Sequence, residues 1–135
     1  MGSKRVVVID NDRATLELMA EVLDSEGYLV TCYDARSFSA LGIQRADPDV
    51  VIMELTHLDP SQALLVLGEL RQYSTTSTVP VIVDSTNARL LNQLAEPLRR
   101  LGCTPLEKPF ELEEFLSTIR GCLSAWPARE CRQAC

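Results

Sequence analysis

The chain alternates between short, continuous apolar runs and longer stretches in which apolar positions recur every three or four residues. The purest runs are Val6 to Ile9, Val50 to Met53 and Val81 to Val83. Runs of this kind, rich in β-branched residues, are expected of strands buried on both faces of a sheet. "RVVVID" is the first. In "ATLELMAEVLDSEG", Leu16, Met19, Ala20 and Leu23 lie at helical spacing and Gly27 supplies a C-terminal stop. "YLVTCYD" predicts a second strand, and "SFSALGIQRAD" a short helix weakened by Gly42. "DVVIMEL" predicts the third strand. Asp59 and Pro60 then offer an N-cap and a first-turn proline to the helix "PSQALLVLGELRQY". "VPVIVDS" predicts the fourth strand. "ARLLNQLAEPLRRLG" predicts the weakest helix, because Pro97 removes a backbone donor and should kink or break it. "CTPLEK" predicts an edge strand, where Pro105 is tolerated. "ELEEFLSTIRGCLSAW" predicts an amphipathic closing helix.

Five strand–helix units without a repeat or a linker imply an α/β fold: a parallel sheet with helices on both faces and right-handed crossovers. Ligands of such sheets bind beyond the carboxyl ends of the strands. The residues that end strands are therefore the candidates for function: Asp10, Asn11, Glu54, Ser85 and Lys108.

Composition narrows the picture. At 135 residues the chain fits one domain, large enough to bury a core without disulfides or metal staples. No apolar run is long enough to span a bilayer, so no membrane is expected. The N-terminus "MGSKRVVVID" lacks the pattern of a signal peptide, and a cytoplasmic location is the expectation. The net charge is −6, with only two lysines, Lys4 and Lys108, and no basic cluster beyond Arg99–Arg100. That argues against nucleic acid as a partner, since phosphate binding needs a concentrated positive face. The five cysteines (Cys32, Cys103, Cys122, Cys131 and Cys135) are expected to be reduced. Cys131 and Cys135 read better as free thiols of the tail than as a metal pair.

The motifs "VVVIDND", "PDVVIMEL", "PVIVDST" and "EKPF" occur in that order, with Asp10, Glu54, Ser85 and Lys108 at successive offsets of 44, 31 and 23 positions. Together they resemble the receiver domain of bacterial two-component response regulators over residues 4–125, leaving 126–135 as a short tail. The resemblance implies a doubly wound, flavodoxin-like, five-stranded parallel sheet of order 2-1-3-4-5 with about five helices. It also implies the chemistry. In that family an acidic pair after the first strand helps hold Mg²⁺, and an aspartate ending the third strand accepts a phosphoryl group from a sensor kinase. A Ser or Thr and a Lys stabilise the transferred group, because phosphoryl transfer is mostly positioning and charge neutralisation. By position, Asp10 and Asn11 fall on the acidic pair, Glu54 on the acceptor, Ser85 on the hydroxyl and Lys108 on the lysine. The resemblance carries a cis peptide at Lys108–Pro109 as well.

Three departures alter the expectation. Glu54 is one methylene longer than the family's aspartate, so its carboxylate lies further out, where a phosphoryl oxygen would sit. A misplacement of about 1 Å can cost 10²-fold in a near-attack geometry. From there the carboxylate could reach Lys108 and Ser85 without being phosphorylated. Asn11 is a poorer Mg²⁺ ligand than a carboxylate, so a site at Asp10, Asn11 and Glu54 should be weak; Asp12 reads better as a helix cap. Pro105 stands where the family often has a switching Tyr or Phe, and "THLDPS" replaces the usual Pro-Gly loop. His57 reads as a loop histidine. Asp84, beside Ser85, should point to the opposite side, where it needs a partner or solvent.

The expectation is a stand-alone, atypical receiver, not an enzyme, that acts by contact with a signalling protein: a sensor histidine kinase, a phosphotransfer protein or a downstream effector. Apolar exposure near the fourth helix and fifth strand would favour a homodimer. The alternative is a Mg²⁺-dependent phosphoacceptor. A flavodoxin-like cofactor binder would need a phosphate-cradling glycine loop, and "VIDNDRAT" has no glycine.

Overall fold

The computed structural model describes residues 2–56 and 59–125. Strands β1 (Arg5–Asp10), β2 (Leu29–Asp34), β3 (Val50–Glu54), β4 (Val81–Ser85) and β5 (Cys103–Glu107) pair in parallel in the order β2-β1-β3-β4-β5. The expected sheet order is the one found. Helices α1 (Arg13–Ser25), α2 (Ala40–Ala46), α3 (Pro60–Leu70), α4 (Ala88–Gln93), α5 (Ala95–Arg100) and α6 (Leu112–Ala125) connect and flank them.

There are six helices among the described residues where about five were expected, and Pro97 is the reason. The fourth helical stretch divides at Leu94, which ends α4 and starts α5. Pro97 thereby falls in the first turn of α5, where a missing backbone N–H leaves no helical bond unmade. Other helix ends follow their sequence signals. Gly27 takes φ +92°, and the Tyr28 and Gly27 amides close back on Leu23 and Asp24 in a Schellman arrangement. The Asp59 carboxylate accepts from the Ser61 N–H at 3.0 Å, with Pro60 at the start of α3. The second helix begins later than the pattern suggests, because the Ser39 hydroxyl caps it by accepting from the Gly42 N–H.

The three central strands, β1, β3 and β4, bury both faces. Val6, Val8, Val50, Ile52 and Ile82 pack against Met19 and Leu23 of α1 and Phe115, Leu116 and Ile119 of α6. Val7, Ile9, Val51, Met53, Val81 and Val83 pack against α2 to α5 through Ile43, Leu67, Leu91 and Leu98. Side chains alternate along a strand. The even-numbered residues thus face α1 and α6, and the odd-numbered ones face α2 to α5. The same alternation sorts the polar residues at the strand ends.

Candidate functional site

Asp10 ends β1, Glu54 ends β3, and Asp84 lies one residue from the end of β4. All three continue the even-numbered face. They are buried, at 2%, 3% and 1% exposure, and Glu54 is the register partner of Asp84. Lys108 follows β5. Its Nζ lies 2.5 Å from Glu54 Oε2, 3.2 Å from Asp10 Oδ2 and 3.9 Å from Asp84 Oδ2. The other oxygens of the first two acids are also engaged. Asp10 Oδ1 accepts from the Asp12 N–H at 2.9 Å, and Glu54 Oε1 accepts from the Thr56 N–H. Neither carboxylate oxygen of Asp84 has a hydrogen-bond partner among the described residues.

Three acids therefore share one ammonium. Burial pushes the Asp84 carboxyl up to about 7; the Glu54 and Asp10 charges add to the rise and Lys108 opposes it. Burial alone would lower the Lys108 pKa, but Asp84, Glu54 and Asp10 together outweigh it and the net shift is upward. An apolar groove of about 540 Å³ between α1 and α6, walled by Leu18, Met19, Phe110 and Phe115, borders Lys108. Its stem lies along apolar surface while its charged end is turned to the acids.

Ser85 continues the odd-numbered face and leads to a different neighbourhood. Its Oγ lies 2.8 Å from Thr56 Oγ1 and accepts from the Asn87 N–H at 3.0 Å. Thr56 Oγ1 also accepts from the Thr86 N–H at 2.8 Å and meets Thr86 Oγ1 at 3.2 Å. The structure thus brings Asp10, Glu54 and Lys108 together as expected from the sequence, and Glu54 reaches Lys108. It does not place the Ser85 hydroxyl on Glu54. Asp84 points to the opposite side from Ser85, as expected, and the partner it meets there is Lys108.

Asn11 Oδ1 is buried with no hydrogen-bond partner. That orphaned oxygen is the one feature suited to a cation. The remaining arrangement fits Mg²⁺ poorly, because each Asp10 and Glu54 oxygen already accepts from Lys108 or a backbone N–H group. Among the described residues no group of three His, Cys, Asp or Glu could hold a metal ion. Asp12 sits at the N-cap of α1, but its carboxylate accepts from the Thr15 hydroxyl at 2.6 Å and makes no side-chain bond to a helix amide. That bond holds its pKa below the usual carboxylate value. Lys108–Pro109 is cis, and Pro105 is an exposed residue of β5. Arg99 and Arg100 both pair with Glu96 on the surface of α5. His57, Cys131 and Cys135 lie outside the described residues.

Sequence reasoning left the partner of Asp84 open and missed Thr56. A signal for the first was present: in "VIVDS", Ile82 and Asp84 must share a face, as Val83 and Ser85 must. Placing Asp84 beside Glu54 also required the register of β3 with β4, which no local pattern shows. Nothing in the sequence distinguishes Thr56 from an ordinary loop threonine.

No protein-family model matches the chain. Its sequence is 34% identical over 127 residues to the regulatory protein VirG of Agrobacterium fabrum, covering 93% of this chain and 48% of that one. The structure of the chemotaxis protein CheY4 of Vibrio cholerae superposes with a TM-score of 0.76 at 22% identity, over 90% of this chain and 100% of that one. The fold is that of a response-regulator receiver domain. The sequence likeness to VirG is in keeping with that fold, and the chain spans about half the length of the curated relatives it matches. The receiver domain of a sensor histidine kinase from Pseudomonas aeruginosa has the same fold, with a TM-score of 0.69 at 21% identity over 91% of this chain and 99% of that one. That structure has a magnesium ion coordinated in its active-site cleft. No described helix of the chain is long and apolar enough to cross a membrane.

Proposed function

We propose that this receiver takes part in two-component signalling by protein contact and does not accept a phosphoryl group in the usual way. The observation that carries the reading is the Glu54 carboxylate itself. One oxygen lies 2.5 Å from Lys108 Nζ and the other accepts the Thr56 N–H. A phosphoacceptor needs a free oxygen in line with the donor, with the lysine available for the transferred group. Glu54 instead brings its own charge to Lys108, and the longer side chain fills the space a phosphoryl group on aspartate would take. In this reading Glu54 and Lys108 form a fixed pair in place of a transient one, and Ser85 serves the loops and not a phosphoryl oxygen. A cation at Asp10, Asn11 and Glu54 would have to displace Lys108, so Mg²⁺ binding is weak. The partner is a signalling protein, a sensor kinase, phosphotransfer protein or effector, met by the surface of the domain.

Crystals grown with Mg²⁺ and beryllofluoride test the reading. The expected result is no metal and no fluoride adduct at Glu54, with the Lys108 pair intact. A beryllofluoride bound to Glu54 beside Mg²⁺ would overturn it.

A further inference from the structure

We propose that Thr56 is a positioning residue that couples the Glu54 carboxylate to the start of α4. Thr56 touches both neighbourhoods at the strand ends, and its hydroxyl joins the one that holds the start of α4; Lys108 meets Ser85 as well, but through the backbone, its N–H donating to the Ser85 carbonyl at 2.8 Å. Its backbone N–H is donated to Glu54 Oε1. Its hydroxyl meets Ser85 Oγ at 2.8 Å and Thr86 Oγ1 at 3.2 Å, and accepts the Thr86 N–H at 2.8 Å. Ser85 Oγ in turn accepts the Asn87 N–H, and Asn87 is the N-cap of α4, its Oδ1 accepting from the Leu90 N–H at 3.1 Å. An unbroken series of hydrogen bonds therefore runs from Lys108 through Glu54, Thr56 and Ser85 to the first turn of α4.

The protein needs such a link because strand alternation separates the two groups. Glu54 and Asp84 project toward α1 and α6, while Ser85 projects the other way, so the acids and the α4 cap have no direct side-chain contact through β4. Thr56, two residues beyond the end of β3, supplies the connection. The contacts of the Thr56 hydroxyl with Ser85 Oγ, Thr86 Oγ1 and the Thr86 N–H hold its rotamer. A displacement of the Glu54 carboxylate that shifts the Thr56 backbone would thus carry the hydroxyl, and with it the acceptor of the Thr86 amide. Valine has the shape of threonine without the hydroxyl, so it keeps the link to Glu54 and removes the link to Ser85 and Thr86.

Amide hydrogen exchange on the full chain tests the coupling without Mg²⁺ or a phosphodonor. Phosphorylation of the unsubstituted chain would thus overturn the preceding reading and leave this one standing. Thr56→Val should speed exchange at the Thr86 amide by about three- to tenfold, the worth of one hydrogen bond. The Gly42 amide, bonded to Ser39 at the other end of the molecule's helical layer, should exchange at the same rate in every variant. Thr56→Ser should restore protection at Thr86, which a role in packing alone would not require. Glu54→Ala should speed the same amide when Thr56 is present and add nothing in the Thr56→Val background. Should the valine variant fail to fold, Thr56→Ala reads the same amide without adding atoms. An unchanged Thr86 rate in the Thr56 variants, or an equal effect of Glu54→Ala with and without the hydroxyl, would overturn the proposal.

Discussion

Asp84 and Ser85 are consecutive in β4 and equally buried, at 1% and 0% exposure, yet they occupy opposite environments. On the α1 and α6 side, three carboxylates share the Lys108 ammonium and Asp84 has no hydrogen bond. On the α4 side, Ser85 joins a neutral set of hydroxyls and amides whose members are paired. Burying an acid without a hydrogen bond is costly, whereas a satisfied hydroxyl contributes modestly to stability. One peptide unit of a pleated strand is enough to separate a strained electrostatic site from a relaxed polar one. The strain is tolerable because Asp84 can hold a proton.

The largest expected effect comes from removing the shared cation. Lys108→Met keeps the apolar stem and leaves the acids without a counter-charge, and should destabilise the fold by roughly 3 to 5 kcal/mol in urea unfolding at pH 8. A loss below about 1 kcal/mol would mean that the acids do not depend on Lys108. The effect of Asp84 has the opposite sign. Its folded-state pKa of about 7 lies above the ordinary 3.8, so between those values the folded state binds more protons than the unfolded one. Its contribution is therefore most favourable at low pH, falls as pH rises from about 4 to about 7, and is level above that. Asp84→Asn should stabilise the protein at pH 8 by roughly 1 to 3 kcal/mol and flatten its stability over that window. Identical pH profiles for the two proteins would remove the contrast between the two sides. On the relaxed side, Ser85→Ala deletes the acceptor of the Asn87 amide and should cost only about 1 kcal/mol, without altering the pH profile. The smallest effect concerns Mg²⁺. With the Asp10 and Glu54 oxygens occupied, millimolar Mg²⁺ or its chelation should leave the melting temperature unchanged. A clear rise with Mg²⁺ would show that the cation displaces Lys108.

The fold was largely legible because its signals are local. Fully apolar runs marked β1, β3 and β4 as buried strands, and Gly27, Asp59 and Pro60 marked helix ends that the structure shows. Pro97 announced a break, although only the structure shows that the chain restarts a helix at once. The candidate site was legible as far as strand ends could show it. Asp10, Glu54 and Lys108 converge because parallel strands end on one edge. The alternation of β4 set Asp84 on the opposite side from Ser85, as the structure shows, but which of the two sides holds Lys108 depended on register and on the course of the chain after β5. Thr56 was invisible, since its importance lies in two contacts made across 29 and 30 residues of chain.

The central claim, that Glu54 holds Lys108 in place of a phosphoryl group, is tested most directly by intact-protein mass. The unsubstituted chain and Glu54→Asp are incubated with Mg²⁺ and a small phosphodonor, side by side. The prediction is that only Glu54→Asp gains the mass of a phosphoryl group, because the shorter side chain frees both the acceptor geometry and the lysine. A phosphoryl group gained by the unsubstituted chain would contradict the account.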